Sequence, residues 1–200
     1  MGGLRIMNGF NGSIKQRYLA VEPHVVVYAD DQHPQIDKQV LTSTIDQIFV
    51  DDGVDVTDVY PFQVQDVFIK GPETFSGAVA KGLSRKDLRN LFQRVIDGHK
   101  KVSASAPSQD QYIDGLTDSD LPNMVEVIDK LEPGEVIMGR ELASSMGVYE
   151  GDVLDIMPPE TLILPAGEIP DKDRVLVKAL FRVDVGEIDS RYLYYIKDET

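Results

Sequence analysis

The chain has 200 residues, room for one large domain or two small ones, and 42% hydrophobic against 27% charged residues excludes a wholly disordered polypeptide. Its 34 acidic and 20 basic residues leave a formal charge of -14, which repels phosphate backbones and argues against a nucleic-acid partner. With no cysteine there are no disulfides or thiolate sites, and His24, His33 and His99 are too scattered for a zinc site.

No stretch approaches the ~18 apolar residues of a membrane helix. Met1-Gly2-Gly3 and the abrupt Leu4-Arg5-Ile6-Met7 read as the start of a segment cut from a larger protein. Phe10, Ile14, Arg17 and Tyr18 then recur at helical spacing, and Pro23 ends that helix. His24-Val25-Val26-Val27-Tyr28 is β-branched rather than alternating, and predicts a buried strand. Ile36, Val40, Leu41, Ile45, Ile48 and Phe49 predict an amphipathic helix over 36–49, packed on a sheet and closed by Asp51-Asp52-Gly53. β character resumes over 54–70, with 76–83 as its hairpin partner. The opening third thus predicts β-α-β-β, an open-faced sheet with a helix on one side.

Leu88, Leu91, Phe92 and Val95 mark a further helix, ended by Gly98. A polar linker follows over 100–111, and Asp118 or Asp120 caps a short helix over 121–131, with Pro122 in its first turn. From Glu132 the chain turns to strands at 135–138, 153–157, 174–185 and 192–196, with a short helix at 140–146. The fold class is α+β: an α/β platform over 1–85 and a β-rich lobe over 86–200.

Between two of those strands lies a loop over 158–170, punctuated by Pro158, Pro159, Pro165 and Pro170. Proline fixes φ and removes an amide donor, so this loop is stiff and does not pair as an ordinary hairpin. Leu162, Ile163 and Leu164 stand at its middle, with Ile169 near its end, where loops are usually polar. Either these side chains protrude for a partner to cover, or they fold back into the domain's own core. The paired acids Asp30-Asp31, Asp51-Asp52 and Asp118/Asp120 raise the question of catalysis, but each lies at a turn or helix end, where aspartate caps. No P-loop, dinucleotide fingerprint or nucleophile elbow is present, so no catalytic residue, metal or cofactor is expected. An acidic hydrolase using Asp51 and Asp52 is the distant alternative.

Ile6-Met7-Asn8-Gly9-Phe10, Ile14-Lys15-Gln16-Arg17 and Glu22-Pro23-His24 resemble the junction after the first transmembrane helix in the LolC/LolE family of lipoprotein-releasing permeases. Val136-Ile137-Met138-Gly139-Arg140-Glu141-Leu142-Ala143, Met146-Gly147-Val148 and Gly151-Asp152-Val153 are similar to a later segment of the same family. The resemblance implies a MacB-like periplasmic core, held at the bacterial inner membrane and facing the periplasm. It implies an ABC transporter in which a partner permease subunit and a cytoplasmic ATPase act with this domain on lipoproteins. Within that likeness the loop over 158–170 corresponds to a hook that recruits a LolA-like periplasmic lipoprotein carrier. Lys172 and Arg174 would then meet the carrier's rim. The family usually continues past Lys197-Asp198-Glu199-Thr200, so a return segment of the platform is expected to be missing. The runner-up is a MacB- or FtsX-like permease domain that engages an adaptor or a cell-wall hydrolase.

Overall fold

The computed structural model describes residues 18–19, 21–28, 38–51, 58–72, 74–105, 123–163 and 172–197. Six strands close into a barrel: β1 (Phe62–Lys70), β2 (Phe75–Leu83), β3 (Glu135–Gly139), β4 (Val153–Met157), β5 (Asp173–Phe181) and β6 (Tyr192–Ile196). Their order around it is β1-β2-β6-β3-β5-β4, with β4 returning to β1 through Phe68–Lys70. The β1–β2 hairpin is antiparallel throughout, and its turn closes when the Gly71 N–H donates to the Thr74 carbonyl. β2 and β6 run parallel, as do β3 and β5.

Alternation along the strands sorts side chains into two cores. Val67, Ile69, Ala78, Ala80, Val136, Met138, Leu154, Val177 and Leu193 fill the barrel. Leu83, Ile137, Ala179, Phe181 and Tyr194 face outward and are covered by helices. Those helices are α2 (Arg85–Ser105) and α3 (Met124–Asp129), which bring Leu88, Leu91, Phe92, Val95, Met124 and Ile128. Strand β5 serves both cores because of a bulge. Val136 pairs Val177 but Ile137 pairs Ala179, so Lys178 is the extra residue and the strand's phase flips there. Val177 therefore points inward, while Ala179 and Phe181 point outward.

The helix α4 (Arg140–Met146) covers the barrel end with Leu142, Ala143 and Met146. It ends at Gly147 in the left-handed conformation, φ 65°. Gly139, between β3 and α4, lies so close to the short helix α5 (Gly186–Asp189) that a Cβ there would sit 2.2 Å from the Asp189 carbonyl oxygen.

The α+β class stands, but the open-faced sheet over the opening third does not form. Its first strand is absent: residues 24–28 are exposed and carry no strand pairing. The sheet around β1 and β2 is completed by β4 beside β1 and by β6, from the far end of the chain, beside β2. The boundary expected at residue 85 consequently runs through one barrel, with β1 and β2 on one side and β3 to β6 on the other. The helix α1 (Lys38–Asp51) forms near its expected place, yet its described residues join neither core, and Val40 is exposed. Helix α2 runs through Gly98 to Ser105, into the expected linker, because the apolar face from Leu88 to Ile96 carries it past one weak helix former. The rest of that linker, with Asp118, Asp120 and Pro122, lies outside the described residues. Strand β5 stops at Phe181 rather than at 185, where the chain turns through Asp184 at φ 55°.

Candidate functional site

The proline-punctuated loop leaves β4 at Met157 and rejoins the barrel at Asp173. Met157 is aligned with Phe68 and Asp155 with Lys70, so the chain runs toward the start of β1 as it enters the loop. Pro158 and Pro159 are half-buried, and Pro159–Ile163 coils into a single 3-10 turn. That turn is a local consequence of the sequence: proline presets φ for the first position, and the Thr161 N–H donates to the Pro158 carbonyl at 3.0 Å. The turn packs beside β1. Leu162 and Ile163 belong to its backbone, and Leu164, Pro165, Ile169 and Pro170 lie outside the described residues.

At the loop's far side stand Lys172 and Arg174, both exposed. They are not idle cations. Lys172 Nζ donates to Asp155 Oδ2 at 2.6 Å, and Arg174 Nε lies 3.5 Å from Asp155 Oδ1. Asp155 is on β4, directly across from Arg174 on β5, so one carboxylate bridges the two strands from which the loop springs. The hydrogen bond from Lys172, with the charge of both cations, holds the Asp155 carboxyl below its ordinary value. Asp155 carries no motif signal. Only the strand pairing brings it 17 and 19 residues away from its partners into contact.

The other acids mark no comparable site. Asp51 ends α1, while Asp30, Asp31, Asp52, Asp118 and Asp120 lie outside the described residues. Among the described residues no three histidines or carboxylates gather as metal ligands, and no helix is long and apolar enough to cross a membrane. His24 is exposed.

The residues of the 136–153 motif prove to be barrel architecture. Val136 to Gly139 is β3, Arg140 to Met146 is α4, and Gly147 and Gly151 both take positive φ. Asp152 accepts the Tyr149 N–H on its side chain, and its carbonyl accepts the Val177 N–H.

No family model matches the chain. Curated proteins do match, among them two named lipoprotein-releasing system transmembrane protein LolC. That of Xylella fastidiosa strain Temecula1 is 28% identical over 188 residues, covering 93% of this chain and 38% of the relative. That of Xylella fastidiosa strain 9a5c is 41% identical over 64 residues, covering 31% of this chain and 16% of the relative. The chain therefore spans well under half the length of the curated proteins it matches. By its sequence it is LolC-like over nearly its whole extent.

Proposed function

We propose that this chain is the extracytoplasmic part of a lipoprotein-releasing ABC transporter permease, and that it hands lipoprotein to a soluble LolA-like carrier at the loop over 158–170. The likeness to LolC across 93% of the chain carries this reading. A cytoplasmic ATPase, a partner permease subunit and an inner-membrane location with this domain on the periplasmic side belong to the same proposal. So does a MacB-like core, and so does the absence of chemistry in this domain.

The loop suits the role physically. Prolines at both ends of the span limit the backbone states that a partner must freeze out on binding. Asp155 fixes the base from across two strands. Each apolar side chain at its middle, if covered by the carrier, would contribute ~1.5–3 kcal/mol before the costs of association. Lys172 and Arg174 reach an acidic rim only by exchanging Asp155 for the partner's carboxylates. Their share of affinity is accordingly small, and their effect falls on association rate.

Capture of the chain on immobilised carrier tests the docking. The double substitution Leu162→Asp/Leu164→Asp is expected to abolish retention while far-UV circular dichroism stays unchanged. Retention equal to wild type removes the loop from the carrier interface.

A further inference from the structure

The outward face of β2 presents Val79, Lys81 and Leu83 in one row, and all three are buried. A lysine in that row needs an explanation. Its Nζ donates to Glu22 Oε1 at 2.6 Å and sits 4.3 Å from the centroid of the Tyr192 ring on β6. Burial first, and then the neighbouring Glu22 carboxylate, push the pKa of the Tyr192 hydroxyl up. Glu22 closes the helical end of the N-terminal segment, its N–H donating to the Tyr18 carbonyl. Its neighbour Val21 is a peg in the outer core, 2% exposed. Beyond Pro23 the chain runs exposed through Val25, Val27 and Tyr28.

A shallow, half-open cleft at the seam beneath this segment is lined by Val21, Pro23, Tyr60 and Lys81. An apolar residue at position 81 would hold the segment at least as firmly, since replacing a buried ion pair by hydrocarbon is often neutral or stabilising. An apolar contact would not fix register, however, and would resist parting. A pair at the rim of a core separates into water, where both charges regain hydration.

We propose that Glu22 and Lys81 form a releasable joint, seating the N-terminal segment in one register on β2 and β6 and freeing it as a unit under load. The origin of such a load rests on the permease reading above; the joint does not. It is a pivot between the segment and the barrel, with Val21 as its peg and the Tyr192 ring as its floor.

The chain has no cysteine, so spin labels attach only where cysteine is introduced. With Tyr28→Cys and Tyr149→Cys, both exposed sites, the distance between labels reports the segment against the barrel. One narrow population is expected in the parent background. Glu22→Lys sets like charges against each other and loses that population; Glu22→Gln loses part of it; Glu22→Lys combined with Lys81→Glu restores it. Near-ultraviolet tyrosine dichroism confirms an intact barrel in each variant. An unmoved distribution in Glu22→Lys overturns the joint, as does a swap that fails to restore. If Glu22→Lys does not fold, Glu22→Gln decides by the same comparison. Carrier capture at 158–170 is measured separately, so either reading can fail alone.

Discussion

Asp189 is fully buried, yet it is held by the chain it holds. Its Oδ1 accepts the Val183 N–H at 2.8 Å and its Oδ2 accepts the Val185 N–H at 3.2 Å, which stitches the turn after β5. Burial pushes its pKa up to about 6 from 3.8, with Asp184 and Glu141 adding to the rise and the two N–H bonds opposing it. Between those two values the folded chain keeps the proton and the unfolded chain does not. Stability therefore falls as pH rises through that window, by up to ~3 kcal/mol from this one group. Asp189→Asn is expected to flatten that slope, measured by urea unfolding at pH 4 to 7 against wild type. A parallel slope in the variant would assign the dependence to other carboxylates. The residue carries no sequence signal: Gly-Glu-Ile-Asp-Ser is a polar stretch, and the fold buries Asp189 beside Gly139 and the core residues Val183, Val185 and Ile188.

At the level of elements, the loop base makes the sharper prediction. Asp155 ties Lys172 and Arg174 across β4 and β5, and its lowered pKa means the tie is lost only as pH falls through the lower carboxylate range. Asp155→Asn is expected to speed limited proteolysis within 158–171 without shifting the thermal midpoint, and raised salt should do the same to wild type. An unchanged cleavage rate would show that the prolines alone hold the loop. The strands at 153–157 and 192–196 and the helix at 140–146 were legible to the residue, because each is short and bounded by Gly or a polar turn. The run at 24–28 was not. β-branched residues state a preference for extended backbone, but a strand also needs a neighbour, and sequence periodicity does not supply one. Likewise Lys178 looks like any surface lysine, although its bulge decides which core Phe181 enters.

For the molecule as a whole, closure was hidden because the decisive pairing joins residues more than a hundred apart, Val79 with Tyr192 through Leu83 with Ile196. Ring centroids of Phe92 on α2 stand 5.6 Å from Phe181 and 5.7 Å from Tyr194, edge toward face, so an aromatic cluster joins helix to barrel. Phe92→Ala is expected to cost ~3–5 kcal/mol and to lower a single cooperative transition seen alike by far- and near-ultraviolet dichroism. Two separated transitions would mean that the halves on either side of residue 85 melt independently. The order of strands has a mechanical corollary. Phe62, Leu83 and Ile196 lie side by side, so β1 begins and β6 ends at one rim, with Phe75 and the hairpin turn at the other. A pull applied at Phe62 and Ile196 together would therefore act on a single rim and turn the barrel bodily, like a bell on its yoke, rather than draw it out lengthwise.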